Sequence, residues 1–177
     1  SQDILIAREH SLKAKAGQVV MVEIIQQPNK YSQPIGKIIE ILGDYTAPGM
    51  EIEIALRKHD LPHVFSPEIA KLAAKFPKNV LKKELKDRKD ICNLPLVTID
   101  GETARDFDDA VFCQQEGKGY RLYVAIADVS HYVRPHDMID QEALNRGNSV
   151  YFPRRVIPML PEVLSNELCS LNPEKKR

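Results

Sequence analysis

The sequence predicts an α+β protein, rich in β-structure and built from three parts. Three observations carry that expectation: short apolar stretches separated by turn residues near the start, a basic segment with a helix-start signal in the middle, and strand-like runs flanking an acidic loop in the second half. The parts fall at 1–58, a small barrel-like domain; 59–92, a basic helical connector; and 93–177, the opening portion of a further strand-bearing domain.

Ile4-Leu5-Ile6 already has strand character, and the three runs Val19 to Ile25, Gly36 to Leu42 and Glu51 to Arg57 follow. Each is β-branched or alternates apolar with polar residues, and Pro, Gly and Asn separate them. Short strands at this spacing predict a small barrel, an architecture that often offers a sheet face to single-stranded nucleic acid. In this stretch only Tyr31 and Tyr45 could stack on bases, so the pattern by itself does not assign binding.

Ser66 with Pro67 behind it is an N-cap followed by the residue favoured at the first helical position. Ile69, Leu72 and Ala73 then fall at helical spacing, and Pro77 ends the run. Between Lys71 and Lys89 eight Lys or Arg stand against Glu84 and Asp87 in a chain whose 25 basic and 25 acidic residues otherwise cancel. That excess would suit RNA phosphates. It would equally suit a solvated connector with Val80, Leu81 and Leu85 turned inward.

In the third part Leu96 to Ile99, Ala110 to Gln114 and Tyr120 to Ala127 are expected strands, with Gly117 and Gly119 supplying the turn between the last two. From Leu144 to Arg177 four prolines interrupt short apolar runs, so long regular elements are not expected.

At 43% hydrophobic and 28% charged residues, disorder is not the expected state. Cys92, Cys113 and Cys169 are odd in number and widely spaced in apolar surroundings, which predicts buried free thiols in a reducing compartment. No uninterrupted apolar run of about 18 residues and no signal-type start is present, so a cytoplasmic protein without a membrane partner is expected. Both ends lack the linkers that usually bound domains, which predicts a piece of a longer chain.

The segment Asp100-Gly-Glu-Thr-Ala-Arg-Asp106-Phe-Asp108-Asp109 places five carboxylates against one Arg within ten residues. Two carboxylates about 5 Å apart repel by roughly 3 kcal/mol at an effective dielectric near 20, and four together cost several times that unless neutralised. If Asp106-Phe107-Asp108 is extended, both carboxylates lie on one face and Phe107 points the other way. Oxygen donors without Cys or His favour Mg²⁺ or Mn²⁺ over Zn²⁺, and such ions serve phosphoryl chemistry. An EF-hand is excluded, since Ala104, Arg105 and Val111 stand at its fifth, sixth and twelfth positions. A solvated acidic turn remains the alternative at the level of pattern. His59 and His63 lack a third ligand, and Asp128 is placed to cap a turn.

The run Leu96-Val-Thr-Ile-Asp-Gly-Glu-Thr-Ala-Arg-Asp-Phe-Asp-Asp-Ala-Val111 resembles the opening catalytic segment of the RNB domain in the ribonuclease II and ribonuclease R family, in the ribonuclease R version. Val124-Ala-Ile-Ala-Asp-Val-Ser130, Asn145-Arg-Gly147, Ser149-Val-Tyr-Phe-Pro153 and Val156 to Pro173 continue the resemblance in order. Lys15 to Val20 and Pro34 to Asp44 are similar to later strands of that family's second cold-shock barrel. The resemblance implies a partial OB-fold or cold-shock barrel, a helical connector and the N-terminal part of an RNB catalytic domain. It further implies that Asp100, Asp106, Asp108 and Asp109 hold magnesium, with Asp108 catalytic, and that Tyr151 stacks on the 3'-terminal nucleotide. The implied activity is processive 3'→5' hydrolysis of single-stranded RNA to nucleoside 5'-monophosphates, with no stable protein partner. Because family members continue well past Arg177, this piece by itself is expected to be inactive. A nonenzymatic single-stranded RNA-binding module is the competing reading, and the acidic loop discriminates, since unneutralised carboxylates repel phosphate.

Overall fold

A computed structural model describes residues 3–86, 88–102 and 104–176; Asp87 in the basic connector and Thr103 in the acidic loop lie outside the described residues. The chain divides into two compact units, Ser1–Leu61 and Pro62–Arg177.

In the first unit β1 (Leu5–Ile6) runs parallel to β3 (Ile35–Asp44), which pairs antiparallel with β2 (Gln18–Gln26). The order β1-β3-β2 makes β3 central. Gly36 is required at that centre: a Cβ there would lie 2.4 Å from Val22 Cγ1 and 3.1 Å from the Glu23 carbonyl oxygen.

The third expected strand is instead a helix, α1 (Met50–Lys58). The alternation Glu51-Ile-Glu-Ile mimics a strand, but Ile52, Ala55 and Leu56 also share a helix face, and Leu56 is fully buried. Charge supports the helix, with Glu51 and Glu53 in its first turn and Arg57 and Lys58 in its last. Arg57 pairs with Glu53 one turn back and reaches the Glu40 carboxylate on β3 through Nε at 3.1 Å and Nη2 at 2.5 Å. A two-pronged guanidinium contact of this kind fixes the angle of a helix on a sheet better than a lysine could.

The second unit opens on α2 (Pro67–Ala73), where the Ser66 hydroxyl accepts the Ile69 N–H at 3.3 Å, as the cap predicted. Val80 and Leu85 are half-buried, whereas Leu81 is exposed. β4 (Asp109–Glu116) and β5 (Gly119–Ile126) form a hairpin turned at Gly117, whose φ of 59° suits glycine. Of the expected strand Leu96 to Ile99 only a bridge survives, Val97 bonding Val111 in both directions at 2.9 and 3.0 Å. Pro95 has no N–H to extend the ladder, and beyond Val97 the chain leaves for the acidic loop. A short turn, α3 (Val129–Tyr132), leads to α4 (Met138–Arg146), the strand pair β6 (Val150–Phe152) and β7 (Arg155–Ile157), and a π-helical turn over Val163–Leu168.

The core gathers Val133, Ile139, Leu160, Leu164, Leu168 and Cys169, with Phe76 and Tyr132 packed edge to face beside them. Cys169 is the buried thiol that was expected, but Cys92 and Cys113 are exposed. Cys113 lies on the open side of the hairpin opposite exposed Leu122, and Cys92 follows a turn in which Asp90 accepts its N–H. No helix among the described residues is long and apolar enough to cross a membrane.

Asp137 starts α4 by accepting the Asp140 and Arg134 N–H groups at 2.8 and 2.9 Å. Burial pushes its carboxyl up, but these backbone donors outweigh it and hold the carboxyl below its ordinary value. A depressed carboxyl stabilises the fold above the unfolded value of about 3.9 and loses that contribution as pH falls through the lower folded value. Asp137→Ala is therefore expected to cost about 1–2 kcal/mol at pH 7, the deficit shrinking below pH ~4, as read by urea unfolding at both pH values.

Candidate active site

The acidic loop is anchored through its backbone at Arg105, Phe107 and Asp108. At one end the Val97–Val111 bridge closes it. In its middle the buried Ser170 hydroxyl donates to the Arg105 carbonyl at 2.8 Å and accepts the Phe107 N–H at 3.0 Å. The Leu171 N–H adds a bond to the Phe107 carbonyl at 2.9 Å, and the Ala127 N–H, just past β5, holds the Asp108 carbonyl at 2.8 Å. Asp109 then enters β4 opposite Ile126.

Held this way, Arg105 and half-buried Phe107 line a cleft with Lys78, Val163 and Asn166, and Asp106 and Asp108 do not. The alternation expected for an extended Asp-Phe-Asp is consistent with that division. Asp108 keeps solvent access, yet surrounding protein crowds its carboxyl and pushes its pKa up; the charges of Asp106, Asp100 and Asp109 add to the shift in that order. The other three aspartates singled out in the sequence thus act on Asp108. Among the described residues they do not close into a group of three or more at metal-holding distance. The all-oxygen donor set and the mutual repulsion fit a hard divalent cation, while like charges on a short exposed loop favour the open arrangement seen here.

Tyr151, on β6, donates its hydroxyl to Asp106 Oδ2 at 2.6 Å. That bond, then burial and the charges of Asp106 and Asp108, push the phenol up to about 12, so it remains a donor at neutral pH. Tyr151 as a residue is 63% exposed. Asp128, expected to cap a turn, makes no side-chain cap; it pairs with Arg88 at 2.5 Å.

Ser170 and Leu171 were invisible as site residues in the sequence, although both fall in the recognised stretch ending at Pro173. Nothing local in a Cys-Ser-Leu run reveals bonding to a loop more than 60 residues away.

Residues 88–177 match the family described as RNB domain, and residues 1–66 match the cold shock domain. The chain is 53% identical over its whole length to ribonuclease R of Vibrio parahaemolyticus and of Escherichia coli, covering 21% and 22% of those proteins. It therefore spans about a fifth of the length of these curated relatives. Among solved structures, Mycoplasma genitalium RNase R in complex with double-stranded RNA superposes with a TM-score of 0.88 at 30% identity, over 99% of this chain and 32% of that one. Yeast Ssd1, a pseudonuclease, shares the fold at a TM-score of 0.61 and 23% identity, over 90% of this chain and 20% of that one. The α+β architecture, with its cold-shock-type and RNB regions, is thereby established, and the chain belongs to the RNB-domain family.

Proposed function

We propose that this chain carries the acidic catalytic loop of a divalent-metal-dependent 3'→5' exoribonuclease that degrades single-stranded RNA processively to nucleoside 5'-monophosphates. The observation that carries the reading is the electrostatic convergence of Asp106, Asp100 and Asp109 on Asp108, beside a tyrosine locked to Asp106. Asp100, Asp106, Asp108 and Asp109 would hold Mg²⁺ or Mn²⁺, with Asp108 nearest the reacting phosphate. When bound, such an ion supplies charge neutralisation at the scissile phosphate and a water of lowered pKa.

The protein's own part is positional. The Ser170, Leu171 and Ala127 bonds hold the backbone from Arg105 to Asp108, which limits how far the Asp106 and Asp108 side chains must move to meet a cation. Tyr151 holds Asp106 through its hydroxyl and offers its ring to the terminal base, a contact indifferent to sequence. A pure RNA-binding module has no use for four carboxylates, which repel phosphate. Since the RNB fold also occurs in a pseudonuclease, activity must be argued from these residues and not from the fold.

The test is 5'-end-labelled single-stranded RNA incubated with the full-length protein, with and without Mg²⁺. Metal-dependent shortening from the 3' end with mononucleotide products is expected, and residues 1–177 alone should bind RNA without releasing nucleotides. Internal cuts, or full activity in EDTA, would refute the reading.

A further inference from the structure

We infer that Ser170 is a positioning residue for the acidic loop, setting how tightly the loop binds a divalent cation and how fast the RNA phosphodiester is cleaved. The inference rests on the function proposed above and adds a residue that touches neither substrate nor metal.

Ser170 is 1% exposed. Its hydroxyl has one proton to give and gives it to the Arg105 carbonyl, while its oxygen takes the Phe107 N–H. The two bonded peptide groups stand on either side of Asp106, so a single hydroxyl fixes the direction in which that carboxylate leaves the backbone. The Leu171 N–H to the Phe107 carbonyl extends the clasp by one peptide, toward Asp108. Asp108 is then held by Ala127 from the other side. Removing the hydroxyl would leave two partly buried backbone groups without this partner, on either side of an aspartate whose charge bears on Asp108.

The delivery of Ser170 follows from the π-helical turn before it. Cys169 N–H bonds the Leu164 carbonyl at 2.9 Å, five residues back, a wider turn than an α-helix makes. The extra residue per turn lets Leu164, Leu168 and Cys169 enter the core and still leaves Ser170 buried against the loop. An α-helical continuation would rotate Ser170 by about 100° and carry its hydroxyl away. π-turns recur at functional sites.

Outer-shell groups that orient ligands typically change metal affinity or activity by about 10–100-fold when removed. The experiment uses the full-length protein and reads Mn²⁺ binding by loss of the free-ion EPR signal, beside steady-state hydrolysis of single-stranded RNA. Ser170→Ala is expected to weaken Mn²⁺ binding and lower kcat about 10–100-fold, with KM for RNA within about threefold of the parent. Ser170→Thr, which keeps the hydroxyl, should restore both. If the alanine variant does not fold, Ser170→Cys replaces it, filling nearly the same space with a far weaker donor. Parent-like Mn²⁺ affinity and kcat in the variant lacking the hydroxyl, or equal losses in the threonine variant, would overturn the inference while leaving the proposed function intact. Absence of any Mn²⁺ site sensitive to Asp108→Asn in the parent protein would overturn both.

Discussion

Asp108→Asn in the full-length protein is expected to slow nucleotide release about 10³-fold, close to 4 kcal/mol of barrier, without lowering the melting temperature. The two halves of this expectation have one origin. Asp108 is crowded by protein and faces the charges of Asp106, Asp100 and Asp109, each of which disfavours its ionised form. An amide of the same shape removes one member of the repelling set, so the fold loses nothing. The bond from Ala127 goes to the Asp108 carbonyl, a backbone group the substitution leaves alone. What is lost is the negative charge proposed to hold a cation beside the scissile phosphate. Rate and melting temperature should be measured on the same preparation. A variant that keeps a third of the parent rate would remove Asp108 from the catalytic role, and a fall of more than about 5 °C would assign it a structural one.

The repulsion packed into one short stretch is what marked the loop as a candidate site in the sequence, and the function proposed above gives that repulsion a use. Acidic density between apolar strands is costly and therefore informative, and the Asp-Phe-Asp alternation is consistent with the cleft that Phe107 lines. Tyr151 was reachable only through the family resemblance, because its bond to Asp106 spans 45 residues. Ser170 was not reachable at all, since a serine in an apolar run has no local property that announces two backbone partners on a distant loop. The fold failed to be legible where two periods coincide. Glu51 to Arg57 alternates like a strand yet places Ile52, Ala55 and Leu56 on one helical face, and burial of Leu56 decides between the two. The Leu96 to Ile99 run failed for a different reason: β-propensity was present, but only Val97 finds a partner. Exposed Cys113 shows the same limit from the other side, because apolar neighbours along the chain say little about which sheet face is covered.

The largest stability effect is expected at Arg146, whose part in the quoted Asn145-Arg-Gly147 motif becomes clear only in three dimensions. Its side chain is 2% exposed and uses four donor contacts: Glu142 at 2.8 Å, and the carbonyls of Pro62, Pro158 and Val64 at 3.1, 3.2 and 3.0 Å. The guanidinium also stacks on Phe65 at 3.7 Å. Three separate stretches of the second unit therefore meet on one planar group at the end of α4, where Gly147 turns the chain with a φ of 76°. Arg146→Ala would strand the Glu142 carboxylate and three carbonyls and open a void beside Phe65. Glu142 is partly solvated, so the carbonyls and the lost stacking dominate, and the total should be about 3–5 kcal/mol. Arg146→Lys keeps the charge but cannot address four acceptors from one plane, so roughly half of that loss should persist. Denaturant unfolding of the full-length protein, followed by a probe in the RNB region, measures both; a change below about 1 kcal/mol for the alanine variant would show that the carbonyls find other partners. The consequence also reaches the site. Pro158 lies three residues before Pro161, whose carbonyl accepts the first bonds of the turn that delivers Ser170 to the acidic loop. An unpinned Pro158 should therefore lower metal affinity at temperatures well below the global unfolding transition, a loss that Arg146→Ala would share with Ser170→Ala and that Asp137→Ala would not show.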